Sequence, residues 1–114
     1  MRIKAGIWVS AYVRRVNAMA VTATVARRGD GDAGAIFIKL NTLDGSAQVL
    51  RPASSGVEGA EDERFWSPAF KEPRAEADAD AYLARQREFD PDLWVIEVED
   101  KAGRHFLEDY VIAS

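Results

Sequence analysis

The sequence contains no cysteine and a single histidine, His105. The absence of cysteine excludes disulfide bonds, thiolate nucleophiles and cysteine-ligated zinc or iron–sulfur centres. A zinc or iron site would then have to use carboxylates almost alone, which is uncommon in proteins. No serine lies in the Gly-x-Ser-x-Gly context of a hydrolase nucleophile. We therefore predict no catalytic residue, no metal and no cofactor, and we expect His105 to be a surface or capping residue.

Long apolar runs are also absent. No segment approaches the ~18 consecutive apolar residues that are needed to cross a membrane. Arg14 and Arg15 interrupt the N-terminal segment at the place where a secretory signal would need an apolar core. These features predict a cytoplasmic protein that has no membrane partner.

What the sequence does contain is the composition of a globular protein. Its 114 residues are 47% hydrophobic and 30% charged, which is enough apolar side chain to form a core without disulfides. We predict one domain over residues 1–114. Within it we expect a mobile acidic loop at 52–63, because that stretch is small, polar and without periodicity.

The spacing of apolar residues predicts two helices and five strands. Steps of three and four in 7–20 and 74–89 are typical of amphipathic helices, the first with Trp8 and Tyr12 in the core. Shorter runs in 21–26, 35–40, 47–51, 64–70 and 93–99 indicate strands. Pro68 places the fourth strand at an edge or ends it early, and 105–111 fits either a helix or a last edge strand. The predicted fold class is α+β: a single twisted, mainly antiparallel sheet of about five strands, with two helices on one face, in the order α-β-β-β-β-α-β.

The stretch from Val21 to Leu40 predicts a β-hairpin. Two alternating runs flank the segment GDGDAG at 29–34, where glycine would supply the positive φ of a tight reversal. The glycines also match G-x-G-x-x-G, but a strand rather than a helix follows them, so a hairpin turn is favoured over a dinucleotide site. A calcium loop starting at Asp30 lacks the required residues at its fifth, sixth and twelfth positions, which leaves at most an incidental cation site.

Charge is unevenly distributed along the chain. Residues 1–40 hold seven basic and two acidic side chains, whereas residues 41–114 hold eight basic and seventeen acidic ones. Either the halves neutralise each other through internal ion pairs, which we favour, or a basic surface is offered to an acidic partner. The net charge of −4 argues against nucleic acid as that partner. The basic set comprises Arg14, Arg15, Arg27, Arg28 and Lys39.

A second charged cluster lies near the C-terminal end and comprises Asp90, Asp92, Glu97, Glu99 and Asp100. Glu97 and Glu99 share one face of the predicted last strand, so they could bind a divalent cation or act as an acid–base pair. They also fit the solvated side of an edge strand, where charge prevents aggregation. We favour this second interpretation.

Three phrases in the sequence resemble a family of short bacterial proteins. They are WVSAYVRRVNA at 8–18, RRGDGDAGAIFIKLNTLDG at 27–45 and YLARQREFDPDLWVIEVED at 82–100. The resemblance covers most of the chain and weakens in the acidic loop and the last residues. The family is a conserved one of unknown function, so the resemblance implies a bacterial, cytoplasmic, single-domain protein and no assigned reaction, cofactor or partner.

These observations favour a non-catalytic interaction or regulatory domain with a protein partner. The alternative is a small-ligand-binding protein or enzyme that uses arginines and carboxylates in a cleft between sheet and helices. A third possibility is weak nucleic-acid contact through the basic N-terminal third. A concave pocket lined by Arg15, Arg28 and two or more carboxylates would favour the alternative. The residues predicted to bind are Arg14, Arg15, Arg27, Arg28, Asp90, Asp92, Glu97 and Glu99.

Overall fold

The computed structural model describes residues 2–56, 58–60 and 62–112 and, within them, two α-helices and one six-stranded sheet. In chain order the elements are α1 (Ala5–Ala18), β1 (Thr22–Arg27), β2 (Ile36–Asn41), β3 (Ser46–Ala53), β4 (Phe65–Pro68), β5 (Arg74–Ala75), α2 (Glu76–Phe89) and β6 (Trp94–Glu99). The α+β class and the mainly antiparallel sheet are as predicted. The additional strand β5 lies at the start of the second predicted helix and pairs with β3.

The order of strands in the sheet differs from a succession of hairpins. β6 lies between β1 and β2, so the order is β1-β6-β2-β3-β4. β6 runs antiparallel to β1 and parallel to β2. The prediction that Val21 to Leu40 forms a hairpin is therefore wrong. The reason lies in the burial of β6, because none of its residues is exposed and such a strand is covered best in the middle of a sheet.

The two helices lie on opposite faces of the sheet, which corrects the prediction that they share one face. Val9 and Val16 of α1 belong to one core cluster with Ile38, whereas Leu83 of α2 belongs to a second cluster with Phe37. Adjacent residues of a strand point to opposite faces, and β2 is buried along its whole length. Both of its faces therefore need a covering helix. Neither helix in the described part of the chain is long and apolar enough to cross a membrane.

The glycine-rich segment 29–34 passes over the start of β6 instead of reversing tightly. A β-carbon at Gly29 or at Gly34 would come within 2.3 Å of the carbonyl oxygen of Asp92. Neither glycine has a positive φ, so the segment needs glycine for space and not for a left-handed backbone. Two N–H groups at the start of α1 donate to carbonyls of this segment, at 2.8 and 3.2 Å. The segment therefore contacts both the start of β6 and the start of α1.

The two outer strands of the sheet are covered in different ways. On β1, the side-chain amide of Asn17 accepts the N–H of Ala23 at 2.8 Å and donates to its carbonyl at 3.1 Å, so it occupies one position of the open edge. β4 ends at Pro68 and lies at the other edge, as predicted. Beside it lie residues 105–111, which we call the C-terminal segment. They contribute one isolated parallel bridge, between Trp66 and Val111. Residues 105–111 thus form neither the predicted helix nor a full strand.

The irregular segment after β3 is shorter than the predicted loop at 52–63. Pro52 and Ala53 still belong to β3, where they pair with β4. Val57 and Glu61 lie outside the described residues. The mobility of this loop stays a prediction.

Candidate functional site

The four arginines predicted to bind a partner do not form one patch. Arg14 and Arg15 lie in the last half of α1. Arg27 ends β1 and Arg28 follows it, at the glycine-rich segment that contacts the start of α1. The two pairs are therefore separated by most of the length of the helix.

These arginines contact backbone carbonyls and an aromatic ring. Arg15 donates to the carbonyl of Phe106 at 3.1 Å, and Arg27 donates to the carbonyl of Leu93 at 2.8 Å. The guanidinium of Arg28 lies 5.6 Å from the centre of the Trp94 ring in β6. Within the described chain, none of the four predicted arginines forms an ion pair with a carboxylate. The favoured interpretation, neutralisation of the basic set through internal ion pairs, is therefore wrong for these four arginines, whereas the fifth member, Lys39, does pair with carboxylates of the second part of the chain.

The four predicted carboxylates also separate into two places. Asp90 closes the turn before β6, where its carboxylate accepts the N–H of Asp92 at 3.0 Å. Glu97 and Glu99 lie within β6 itself. Because β6 is an inner strand, the favoured interpretation of these two glutamates as the solvated side of an edge strand is wrong.

Glu97 belongs instead to a polar network under α2. Lys39 is only 5% exposed, and its ammonium lies 2.8 Å from Glu76, 2.9 Å from Asp80 and 3.6 Å from Glu97. Asn41 donates to Glu76 and Glu97 at 3.2 and 3.1 Å. Burial lowers the pKa of Lys39, but hydrogen bonds to Glu76 and Asp80 more than offset this effect and raise it. A lysine that stays charged and is surrounded by carboxylates ties α2 to the sheet and is not a nucleophile.

A cleft of about 330 Å³ opens between α1, β4 and the C-terminal segment. We call it the aromatic cleft, defined by Trp8, Tyr12, Trp66 and Tyr110. The rings of Trp8 and Tyr12 stack at 4.9 Å, because residues four apart on a helix are neighbours. The ring of Trp66 lies 4.9 Å from that of Trp8, and its indole N–H donates to the carbonyl of Ile36 at 2.8 Å. The rings are therefore fixed by both the helix and the sheet.

Charged side chains surround these rings. Arg15 and Arg64 line the aromatic cleft together with the carboxylates Asp62 and Glu63. Burial and the nearby Arg2 lower the pKa of the Arg64 guanidinium, which remains charged at neutral pH because the ordinary value is so high. Arg64 forms no ion pair within the described residues. The aromatic cleft thus combines Arg15 with two carboxylates, as the alternative hypothesis required, but not with Arg28.

The chemistry available in the aromatic cleft is that of binding. The Tyr12 hydroxyl donates to the carbonyl of His105 at 2.8 Å, and burial raises the pKa of Tyr12 above its usual range. The Nδ1 of His105 accepts the N–H of Leu107 at 3.0 Å, which makes His105 a capping residue as predicted. Burial lowers the pKa of His105, although Glu108 opposes the shift. The described lining includes no serine, cysteine, histidine or lysine. The described part of the chain also contains no group of three or more His, Cys, Asp or Glu side chains that could hold a metal ion.

The residues that close the aromatic cleft were missed by the sequence interpretation. Tyr12 is buried, as predicted, but Trp8 is only half-buried and faces the cleft. One signal could have found this side of the cleft: Trp8, Tyr12 and Arg15 recur at steps of four and three on α1, beside the small Ala11. No comparable signal marks Arg64, since only the tertiary structure brings β4 next to α1.

The fold and the site together define an α+β domain with an open mixed sheet, one helix on each face, and the aromatic cleft at one edge. The chain belongs to the DUF1491 family, since residues 3–108 match the model described as "Protein of unknown function (DUF1491)". The resemblance inferred from the three sequence phrases is confirmed.

Solved structures agree with this assignment. The crystal structure of a DUF1491 family protein from Caulobacter crescentus CB15 is 40% identical, with a TM-score of 0.82 over 98% of this chain and 99% of that chain. The NMR structure of a DUF1491 family protein from the same organism is 41% identical, with a TM-score of 0.80 over 98% of both chains. The solution structure of protein Atu0922 from A. tumefaciens is 36% identical, with a TM-score of 0.74 over 87% of this chain and 86% of that chain. No curated protein matches the chain.

Proposed function

We propose that this protein is a non-catalytic binding domain and that the aromatic cleft is its binding surface. The observation that carries the proposal is the combination of stacked rings with the guanidinium of Arg64, which has no carboxylate partner within the described chain. A partly desolvated charge without a counter-ion is costly. Of the stacked rings, Trp8 is the one that is only half-buried, and its exposed aromatic surface favours association. A bound partner supplies both the counter-ion and the cover.

The groups around the aromatic cleft support binding rather than turnover. The hydroxyl of Tyr12 donates to a backbone carbonyl, and the imidazole of His105 caps a backbone N–H. The described lining holds no serine, threonine, cysteine or lysine that Asp62 or Glu63 could activate as a nucleophile. The absence of cysteine supports a cytoplasmic site of action.

A substitution that fills the aromatic cleft tests the proposal. Ala11 is exposed and lines the cleft, so Ala11→Trp should block it without entering the core. Ala18→Trp is the matched control, because Ala18 is an exposed alanine of α1 outside the lining. Tagged wild type and both variants are incubated with extract of the source cells, and the retained proteins and small molecules are identified by mass spectrometry.

We expect a species that wild type and Ala18→Trp retain equally and that Ala11→Trp retains at least about tenfold less, which corresponds to ~1.4 kcal/mol of binding free energy. Amide NMR spectra establish that both variants are folded. If the same species are retained equally by all three folded proteins, the aromatic cleft is not the binding surface and the proposal is wrong.

A further inference from the structure

We infer that the ligand of the aromatic cleft is a small aromatic monocarboxylate, that is, a planar ring joined by a short linker to one carboxylate. This inference rests on the proposed binding function and adds the chemical class of the ligand. It follows from the rings, the guanidinium groups, the neighbouring carboxylates and the volume of the cleft.

The aromatic rings determine the apolar part of the ligand. Trp8 is half-buried and Tyr110 is exposed, so these two rings present aromatic surface to the cleft. Tyr12 and Trp66 are 4% and 1% exposed, and each packs against Trp8 with ring centroids 4.9 Å apart, which holds the Trp8 ring in place. A planar ring gains offset-stacked or edge contacts on the Trp8 surface beyond the area that it buries. Trp66 is fully buried and hydrogen-bonded through its indole N–H. The surface is therefore rigid and loses little entropy when a ring binds to it.

The two arginines determine the charged part of the ligand. Arg64 is half-buried, has no ion-pair partner among the described residues, and lies close enough to Arg2 for the like charge to lower its pKa. Arg15 donates to the carbonyl of Phe106 through Nη2, and a guanidinium has further N–H donors on its other nitrogens. A carboxylate accepts such donors in charge-assisted and often bidentate hydrogen bonds. An anion beside Arg64 also relieves its repulsion from Arg2.

The carboxylates of the aromatic cleft limit the charge of the ligand. Asp62 and Glu63 line the same cleft as Arg15 and Arg64, so a dianion such as a phosphate monoester would be repelled by two like charges. A single carboxylate can be placed at the guanidinium side with less repulsion. The cleft therefore favours a monoanion over a dianion.

The volume of the aromatic cleft limits the size of the ligand. About 330 Å³ is near the lower end of the range for ligand pockets, which is roughly 300–1,000 Å³. This space suits one ring and a short acid side chain better than a peptide. We therefore assign the site to a free small acid rather than to the C-terminal residue of a protein.

The test compares an acid with its neutral amide, and then with a dianion and a peptide. The full-length protein is titrated with 3-phenylpropionate, with its neutral amide 3-phenylpropanamide, with phenyl phosphate and with the peptide Gly-Gly-Phe. Binding is followed by the indole N–H signals in two-dimensional NMR. Trp8 and Trp66 report on the aromatic cleft, whereas Trp94 is an internal reference, because its indole N–H donates to Asp30 at the other end of α1.

We expect 3-phenylpropionate to shift the Trp8 and Trp66 signals and to bind about tenfold more tightly than the amide, since charge-assisted hydrogen bonds are stronger than those between neutral groups. Arg64→Gln should remove this preference and leave the weaker binding of the amide. Arg85→Gln, an exposed arginine on α2, should retain the preference. Phenyl phosphate and Gly-Gly-Phe should bind more weakly than 3-phenylpropionate.

Several results would overturn the assignment of the ligand class. Equal affinity for 3-phenylpropionate and its amide would do so, as would the absence of indole N–H shifts with either probe. Shifts at Trp94 as large as those at Trp8 and Trp66 would show that binding is not confined to the aromatic cleft. Tighter binding of phenyl phosphate or Gly-Gly-Phe than of 3-phenylpropionate would indicate another class of ligand. Failure of this inference is distinct from failure of the proposed function. If Ala11→Trp abolishes retention of a cellular species while 3-phenylpropionate does not bind, the aromatic cleft is a binding surface for another class of ligand.

Discussion

Gly29 and Gly34 determine, at the scale of single residues, how the chain crosses the start of β6. Both lie against the carbonyl oxygen of Asp92, and a β-carbon there would approach it to 2.3 Å. We expect Gly34→Ala to lower the free energy of unfolding by about 3 kcal/mol, since backbone and not a flexible side chain would have to move. Urea denaturation followed by tryptophan fluorescence measures this change.

Gly31→Ala is the matched control for this substitution. Gly31 lies in the same segment and a β-carbon there would have no neighbour within 4 Å, so its stability should change by less than ~0.5 kcal/mol. Equal losses in the two variants would show that the segment needs glycine for its backbone conformation and not for close approach.

Lys39 shows how one buried charge can attach a helix to a sheet. Lys39→Met keeps most of the side-chain volume but leaves Glu76, Asp80 and Glu97 to repel one another. We expect a loss of about 2 kcal/mol in unfolding free energy, less than for a fully buried pair because these carboxylates are partly solvated. Lys101→Met, at an exposed lysine without an ion pair in the described chain, should change stability little. Comparable losses in both would exclude the network as the cause.

At the scale of elements, the C-terminal segment should respond to acid. Folding lowers the pKa of His105 below its unfolded value of 6.5, and protonation of Nδ1 would break its bond from Leu107. As pH falls below 6.5, the unfolded chain therefore binds a proton before the folded protein does, so stability is full above this value and decreases below it. We expect the unfolding free energy to decrease as the pH is lowered below about 6.5.

His105→Gln removes the titrating group while keeping a side chain that can accept a hydrogen bond. In this variant the decrease in unfolding free energy over the same pH range should be smaller than in wild type. If both proteins lose the same stability, other groups cause the pH dependence and His105 does not contribute to it.

Most elements could be predicted from the sequence, because their apolar spacing is a local property. The helices and the five longer strands occur where the pattern placed them, within a few residues. The second helix begins two residues later than predicted, since Arg74 and Ala75 pair with β3 before it starts. Phe89, the last residue of α2, fits the helical pattern but is 84% exposed. The local apolar spacing determines whether a helix or a strand forms, and the neighbouring strands determine where it begins and ends.

At the scale of the whole molecule, the fold depends on a strand from the end of the chain. In the described sheet β1 pairs with β6 alone, and β6 also supplies Trp94 and Ile96 to the larger core cluster. We therefore expect the fragment 1–92 to be unfolded, although it contains both halves of the hairpin predicted from sequence. The dispersion of the amide signals in an NMR spectrum shows whether the fragment is folded.

Adding a synthetic peptide of residues 90–112 to this fragment is the control. If β6 is the missing central strand, the peptide should restore dispersed signals, because the two pieces together contain every described strand. A fragment 1–92 that is folded by itself would show that β1 and β2 can pair directly, contrary to the observed topology.

The aromatic cleft illustrates why the candidate site could be predicted only in part. Arg15 lines the cleft and was predicted to bind, but the other three arginines of that prediction do not line it. The cleft is assembled from α1, β4 and the C-terminal segment, whose residues are far apart in sequence: the bond from Arg15 to the carbonyl of Phe106 spans 91 positions. Local patterns contain no information about such contacts.

The sequence by itself determined the fold class, the positions of the helices and main strands, the membership in a family of unknown function, and the absence of cysteine chemistry. These follow from composition, periodicity and short phrases, which are local. The tertiary structure alone decided that β6 separates β1 from β2, that the helices cover opposite faces, and that Trp8 meets Trp66 beside Arg64. The glycine-rich segment 29–34 is an example of both. Its composition indicated a turn, but only the tertiary structure shows that it crosses the start of β6, which lies about sixty residues further along the chain.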